Sequence, residues 1–254
     1  MSELVKGIGR LGVVPMYEKP GHKETLISEL LFGEHYSVLS SNQDWFKIQL
    51  SFDQSEGWIH QNQHFTISDA YYDQINMSDY KVCTDISGSI FFQKKYVNIL
   101  LGSILPISSN ELFKIEEQVA FNGSSKSLSQ QREFEFVKGI AEKYRHTPFR
   151  HGGKTPFGVD KAGFIQQVFK ISGYRLKRSL DEQMESAEEC SDLTKIEEGD
   201  ILYIGKGKNI TALIALGGEQ FIGIIDGQVE KISNLNIGKE KFLVRKMIRN
   251  SHSK

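Results

Sequence analysis

The chain has 254 residues, of which 39% are hydrophobic, and a formal net charge of −1. This length is enough for one large domain or for two to three small ones, each with an apolar core. A charge so close to zero argues against a nucleic-acid-binding protein, and no apolar run reaches the roughly 18 residues of a membrane helix. Residues 1–10 are too few and too polar for a signal peptide. The sequence therefore predicts a soluble, globular protein with no nucleic-acid or membrane partner, which is cytoplasmic unless a leader was removed.

The cysteine content and the charge distribution give few further constraints. Cys83 and Cys190 match no metal-binding or redox spacing. We expect two reduced thiols, with a disulfide left open, and neither a metal nor a cofactor. Basic residues outnumber acids ten to two from Lys138 to Arg178, and acids outnumber lysine nine to one from Asp181 to Asp200. These segments are interpreted as solvated or mutually paired faces; the alternative is a basic rim on a cleft for carboxylate ligands.

Residues 1–67 have the pattern of a small all-β barrel. Short apolar runs alternate with turn residues and show no helical period, although a helix remains an alternative for Glu24 to Leu31. The order LLFGE, VL, WFKI and GWI resembles a bacterial SH3 (SH3b) domain. Trp45 and Trp58 are expected in the core and at the lip of this barrel rather than in a ligand cradle.

Residues 68–125 are less regular and are interpreted as a second, divergent SH3-like barrel. Strand-length apolar runs occur in four places. They are Ile90–Phe92, Tyr96–Leu101, Leu112–Ile115 and Gln118–Phe121. Asn122 to Gln130 has the composition of a flexible linker, so we place a domain boundary here, before a third domain at 126–254.

The third domain is expected to contain two helices around a glycine-rich turn. Residues 131–145 carry apolar side chains at helical spacing, and so does the run that starts at Lys161. The second helix should end near Ser172 and Gly173. A capping box at Ser179 and Glu182 predicts a further short helix, to about Glu189.

The turn that precedes the second of these helices, RHGGKTPFGVDKAGF, resembles the signature of the NlpC/P60 cysteine peptidases, Y-R-W-G-G-K-(S/T)-P-x-G-(I/V/F)-D-C-S-G-F. Nine residues match it: Gly152, Gly153, Lys154, Thr155, Pro156, Gly158, Asp160, Gly163 and Phe164. The resemblance implies an α+β, papain-like domain whose central helix packs on an antiparallel sheet. It also implies a cysteine thiolate at the helix start, where the dipole lowers its pKa. Lys161 stands at that position, and Ala162 replaces the motif serine.

The two other catalytic positions of the family lie on strands of the sheet, which the resemblance begins at Gly199 and Asp200. In the family, a T-H-(V/I)-G-I-Y strand supplies the base and an (F/I)-I-H-A strand supplies the histidine that orients it. Here these strands read ITALIAL and FIGI, with Ala212 at the base and Gly223 at the orienting histidine. Neither side chain can accept a proton.

Six residues are candidates for ligand binding. Asp160 matches an acid that, in cytoplasmic members with two barrels, helps to bind the free amino terminus of a short cell-wall peptide. Phe149 and His151 replace the motif tyrosine and tryptophan. Tyr17 and Glu18 are candidates for the wall that the first barrel contributes. Lys161 is expected to fill the old pocket, held by a carboxylate from Asp160 or from the first barrel.

These residues predict a catalytically inactive homologue of the cell-wall peptidases. Its role would be to bind or regulate, with a peptidoglycan-derived peptide or a protein as its partner. One alternative is an active hydrolase of γ-D-glutamyl-diamino acid bonds in murein peptide recycling, with Lys161 as an unorthodox nucleophile. Another is a structural partner of an active paralogue.

Overall fold

The computed structural model describes residues 5–92, 94–105, 120–205, 207–233, 235 and 241–248. The chain divides into two compact units, which are described separately. The first contains Met1–Gln130 and His151–Pro156, and the second contains Gln131–Arg150 and Phe157–Lys254. Among the described residues, no helix is both long and apolar enough to cross a bilayer. The architecture is α+β, as predicted.

The first unit begins with a seven-stranded antiparallel sheet in the order β3-β2-β6-β5-β4-β1-β7. Its strands are β1 (Lys6–Ile8), β2 (Val13–Tyr17), β3 (Leu26–Leu31), β4 (His35–Asn42), β5 (Trp45–Leu50), β6 (Glu56–His60) and β7 (Thr66–Ile67). The apolar runs at 12–17, 29–32, 36–39, 45–50 and 57–59 predict five strands, which overlap β2 to β6, whereas no run predicts β1 or β7. The helical alternative at 24–31 is wrong, because β3 pairs with β2 along its length.

The core of this sheet follows the alternation of its strands. Met16, Ile48 and Ile59 are fully buried in one apolar cluster. Side chains of neighbouring residues point to opposite faces of a strand. Trp45 and Trp58 therefore lie on the face opposite this cluster. Trp45 is nevertheless buried, as expected for a core residue, and Trp58 is half-buried, as expected at the lip.

The described residues between 68 and 127 form one helix and short strands. Helix α1 (Asp69–Met77), capped by the Ser68 hydroxyl, was not predicted. The strands are β8 (Lys81–Cys83), β9 (Ser87–Phe92), β10 (Lys95–Leu100), β11 (Ile104–Leu105), β12 (Ala120–Asn122) and β13 (Ser125–Ser127). They form two three-stranded sheets, β10-β9-β12 and β11-β8-β13. The linker prediction for 122–130 is wrong in part, since β13 pairs with β8. The apolar runs at 112–119 lie outside the described residues, and the division into three domains stays a prediction.

Residues 151–156, from the glycine-rich turn, group with the first unit through buried contacts. The Lys154 ammonium lies 3.1 and 3.2 Å from the two carboxylate oxygens of Glu34, and its backbone N–H donates to Glu29 at 2.8 Å. Lys154 and Glu34 are both buried. Gly152 has φ +73°, and a Cβ there would lie 2.5 Å from the carbonyl oxygen of Leu26. The first of these glycines and the lysine are thus required by local packing.

The described part of the second unit contains three α-helices and a six-stranded sheet. The helices are α2 (Phe134–Glu142), α3 (Lys161–Ile171) and α4 (Leu180–Met184). The two-residue strand β15 (Gly158–Val159) precedes α3, and β14 (Lys154–Thr155) belongs to the residues that group with the first unit. The sheet contains β16 (Glu188–Cys190), β17 (Ile201–Ile204), β18 (Thr211–Gly217), β19 (Gln220–Ile225), β20 (Gln228–Ser233) and β21 (Phe242–Arg245), in the order β16-β21-β17-β18-β19-β20. The helix expected to reach Glu189 ends earlier, because residues 188–190 pair with β21.

The two faces of this sheet are buried by different parts of the unit. Leu213, Ala215 and Phe221 point to one face, in a cluster completed by β16, β21 and the segment 193–196. α3 packs on β18 and β19. Because side chains alternate, α3 covers the other face, which carries Ala212 and Ile214. Position 212 thus lies on the sheet face that α3 covers.

Candidate functional site

Asp160 caps the start of α3 and fixes the residues of the predicted nucleophile turn. Its Oδ1 accepts the backbone N–H of Gly163 at 2.6 Å, and its backbone is extended, as an N-cap requires. Lys161 is the first residue of the helix and is half-buried, while Ala162 is buried. The positive end of the helix dipole at this point favours an anion. Asp160 supplies that anion, and Lys161 adds a positive charge beside it.

The Asp160 carboxylate also forms a two-pronged ion pair with Arg178. The guanidinium donates to Oδ1 at 3.0 Å and to Oδ2 at 2.7 Å. The side chains are only 15% and 9% exposed, respectively. Paired hydrogen bonds between a guanidinium and a carboxylate are strong and geometrically specific. Both carboxylate oxygens are therefore already engaged by this chain.

The Lys161 side chain is held by a main-chain carbonyl. Its Nζ donates to the oxygen of Ile210 at 2.6 Å, immediately before β18. Among the described residues it has no carboxylate within ion-pair distance. The expected carboxylate anchor is therefore wrong, and the physical reason is that Arg178 occupies Asp160. The contact links the first residue of the helix to the entry of the strand that carries position 212.

Ala212, the predicted base position, faces α3 and is buried. It pairs across the sheet with Tyr203 of β17, whose side chain points to the same face. Burial raises the pKa of the Tyr203 phenol, and nearby Arg245 opposes this rise. The phenol is therefore protonated at neutral pH, and it cannot serve as a base. No proton acceptor replaces the imidazole on this pair of strands.

The register of β18 and β19 changes the assignment of the third position. Gly223 lies opposite Leu213, so its α-hydrogens share the face of Leu213 and not that of Ala212. A Cβ at Gly223 would come within 2.6 Å of the Leu213 side chain and 2.5 Å of the Ala212 oxygen. A side chain facing α3 comes from Ile222 or Ile224 instead. The prediction that Gly223 stands at the orienting position is wrong in register, although neither isoleucine carries a ring nitrogen.

Other thiols and imidazoles of the second unit lie elsewhere. Cys190 packs in the cluster of Leu213, on the sheet face away from α3, and its thiol donates to the oxygen of Asp192. His146 is the histidine that the described part of this unit contains, and its Nδ1 lies 2.8 Å from the Glu230 carboxylate on β20. Neither the Cys190 thiol nor the His146 ring contacts Lys161, whose ammonium donates to the carbonyl oxygen of Ile210.

Comparison with known proteins finds a matching family for each of two segments of the chain. The NlpC/P60 family model matches residues 146–247, and the bacterial dipeptidyl-peptidase SH3 domain matches residues 16–63. An NlpC/P60 family protein from Bacillus cereus has a similar fold, with a TM-score of 0.76 and 14% identity over 95% of this chain and 99% of its own.

The chain carries an NlpC/P60 domain and a bacterial SH3 domain. It is similar to dipeptidyl-peptidase 6 of Lysinibacillus sphaericus, with 21% identity over 81% of this chain and 86% of that protein. It is also similar to the γ-D-glutamyl-L-lysine dipeptidyl-peptidase of Bacillus subtilis, with 23% identity over 71% of this chain and 66% of that protein. The resemblance stated from the signature is thus confirmed at the level of both domains.

The remaining candidate ligand residues are divided between the two units. In the NlpC/P60 domain, Phe149 is 46% exposed and its backbone N–H donates to Gly227. His151 is exposed and groups with the first unit. In the SH3 domain, Tyr17 ends β2 and is half-buried, and Glu18 is exposed. Their roles in a common site stay predictions.

Two residues that shape the helix entry of the NlpC/P60 domain could not be recognised from the sequence. Arg178 was counted only as one of many basic residues, although it occupies Asp160. Gln183 is fully buried, and its Nε2 donates to the carbonyls of Ala162 at 3.1 Å and Lys177 at 2.8 Å. Both reach the site from beyond the end of α3. No motif or spacing marks such contacts in a single sequence.

Proposed function

We propose that this chain is a non-catalytic NlpC/P60 homologue that acts by binding a ligand or partner. The observation that carries the proposal is the Lys161 side chain, which donates to the Ile210 carbonyl at 2.6 Å where the family signature has a cysteine. An ammonium held as a hydrogen-bond donor has no free electron pair for attack. Ala212 offers it no base across the sheet.

The ion pair between Asp160 and Arg178 supports a changed mode of ligand binding. An acid that receives a peptide amino terminus needs an accessible carboxylate oxygen. Here one oxygen accepts from Gly163 and both accept from Arg178. A free amino terminus would therefore have to compete with a guanidinium that belongs to the chain itself. We infer that a peptide held only by its amine would bind weakly.

The names of the relatives support one class of ligand. The B. subtilis relative is by name a dipeptidyl-peptidase for γ-D-glutamyl-L-lysine. A retained scaffold with altered chemistry supports a peptidoglycan-derived peptide as the first ligand to test, and a protein partner as the second. The two alternatives are an active hydrolase of the same bonds and a structural partner of an active paralogue.

The test uses the full chain and the peptide L-Ala-γ-D-Glu-diaminopimelate. Release of the dipeptide is followed by mass spectrometry, with the B. subtilis relative as the active reference. Binding of the uncleaved peptide is measured by calorimetry in parallel. We expect no turnover in the wild type or in Lys161→Cys, because a thiol at 161 would still lack a base.

The outcomes separate the alternatives. Turnover by the wild type that disappears in Lys161→Ala would overturn the proposal and favour the active hydrolase. Saturable binding without turnover supports the peptide-binding form of the proposal. Absence of both turnover and peptide binding would favour a protein as the partner. Co-purification of the chain with an active paralogue would then favour a structural role.

A further inference from the structure

Three charged side chains at the start of α3 leave a net positive charge. The Lys161 ammonium is half-buried, and among the described residues its hydrogen-bond partner is the Ile210 carbonyl oxygen at 2.6 Å. Arg178 adds a second positive charge, and Asp160 pairs with it through both carboxylate oxygens. Two positive charges and one negative charge sum to +1, at the positive end of the helix dipole. A partly buried charge without a counter-ion is costly, so this place favours an anion.

Two backbone N–H groups at this point are also available to a ligand. Asp160 Oδ1 accepts the N–H of Gly163, and the Asp160 carbonyl accepts that of Phe164. Among the described residues, the N–H groups of Lys161 and Ala162 have no such acceptor. The N–H groups of a first helical turn point towards the helix start, where they can bind the oxygens of an anion. Together with the Lys161 ammonium, they form one group of donors.

A buried hydroxyl group gives a separate indication of a ligand. Tyr203 lies opposite Ala212 on the sheet face that α3 covers; it is 2% exposed, and its hydroxyl has no hydrogen-bond partner among the described residues. Arg245, whose charge acts on this phenol, donates to the Gln183 backbone, and the Gln183 side chain donates to the Ala162 carbonyl. These contacts place the phenol beneath the first turn of α3. Buried hydroxyls normally have a partner, and a protonated phenol can donate to an anion.

We propose that the start of α3 binds the carboxylate of a short peptide. The Lys161 ammonium and the two backbone N–H groups bind its oxygens, and Tyr203 is a further donor. The inference rests on the function proposed above, because it identifies the group by which an uncleaved peptide is held. It reverses the polarity that the family resemblance implies for this place, where Asp160 would receive an amine.

An amine and a phosphate fit the start of α3 less well than a carboxylate. An amine would be repelled by the Lys161 ammonium, and Asp160 is already bound by Arg178. A carboxylate carries one negative charge, which balances the sum of the three side chains. A phosphate carries about two at neutral pH, and its second charge would lie beside the Asp160 carboxylate.

The test compares three forms of trialanine on the ¹⁵N-labelled full chain. N-acetyl-trialanine has a carboxylate and no amine, its amide is uncharged, and trialanine amide has an amine only. Inorganic phosphate is the fourth probe. Binding is followed by the backbone ¹⁵N–¹H signals of Lys161 and Ala162. We expect saturable shifts with up to about 10 mM of the carboxylate form, and affinities lower by about 10-fold or more for the two amides and for phosphate.

Two variants test the donors. Lys161→Met keeps an unbranched side chain and removes the charge, so it should weaken binding of N-acetyl-trialanine by about 10-fold or more. Tyr203→Phe removes a single hydroxyl and should weaken binding by about 2- to 10-fold. Lys138→Met, the same change on α2, should leave the affinity unchanged. Thermal unfolding verifies the fold of each variant, and the comparison of the peptide forms requires no variant at all.

Three results would overturn the proposal. They are the absence of saturable shifts with the carboxylate form, an equal affinity for its amide or for phosphate, and an unchanged affinity in a folded Lys161→Met or Tyr203→Phe variant. Turnover is measured separately, with L-Ala-γ-D-Glu-diaminopimelate. Binding of that peptide without cleavage, combined with any of the three results, would reject the carboxylate site and leave the proposed function standing. Turnover by the wild type would overturn both.

Discussion

Arg178→Met should destabilise the NlpC/P60 domain, because it leaves the Asp160 carboxylate without its guanidinium. Loss of one partner of a buried ion pair costs about 3–5 kcal/mol. The Asp160 side chain is 15% exposed and keeps the Gly163 N–H at 2.6 Å, which offsets part of that cost. We therefore expect the free energy of unfolding to fall by about 2–4 kcal/mol.

The assay for this prediction is denaturant unfolding followed by far-UV circular dichroism. Three of the four described α-helices belong to the second unit, whereas Trp45 and Trp58 report on the first unit through their fluorescence. Hydrogen exchange of residues 160–171 adds a local measure of protection at α3. Circular dichroism and fluorescence together show which of the two units loses stability.

A double-mutant cycle with Asp160→Asn isolates the pair itself. Asparagine still caps the helix, and the double variant has no unpaired charge, so it should lose less than the sum of the single changes. We expect a coupling energy of about 1–3 kcal/mol. A loss below about 0.5 kcal/mol in Arg178→Met, or additive single changes, would refute the reasoning.

Three further outcomes are expected. Glu34→Gln strands the buried lysine that it pairs with, so the fluorescence-detected free energy of unfolding should fall by about 3–5 kcal/mol, and a loss under about 1 kcal/mol would contradict a buried ion pair. Gly223→Ala forces a Cβ to within 2.5 Å of a carbonyl oxygen and should cost about 1–3 kcal/mol, whereas Gly139→Ala, with nothing within 4 Å, should stabilise its helix by about 0.5–1 kcal/mol; thermal unfolding compares them, and equal effects would reject the register. Burial raises the pKa of Asp200 and the Lys246 ammonium opposes the rise, so Lys246→Met should raise that pKa further and lower stability by about 1 kcal/mol after solvent screening. Because a carboxyl with a raised folded-state pKa loses stability as pH rises from its unfolded value, the decline between pH 4 and pH 7 should be steeper in the variant; equal slopes would disprove this.

Local patterns predicted much of the fold. The turn residues and apolar runs of the first barrel predicted five of its seven strands, and the period-3.6 pattern after Lys161 predicted α3 to within a residue. The resemblance to the signature then implied that this helix packs on an antiparallel sheet. These features depend on near neighbours in sequence, where composition is informative.

Long-range contacts and register could not be predicted in the same way. The pairing of Arg178 with Asp160 spans 18 residues, and the Lys161 contact with Ile210 spans 49. An irregularity between Ala215 and Gly217 shifts the β18 and β19 register. A slip of one residue exchanges the faces of a strand, so letter-by-letter alignment of the motif selected the wrong side chain.

The contacts of Gly152 and Lys154 have a consequence for surveys that rank sequences by signature matches. Gly152 has no room for a Cβ beside Leu26, and Lys154 neutralises a buried acid. Selection for a folded chain can preserve both residues after catalytic activity has been lost. A high count of matched residues therefore measures retention of the fold. Active and inactive homologues would score alike unless position 161 is weighted separately.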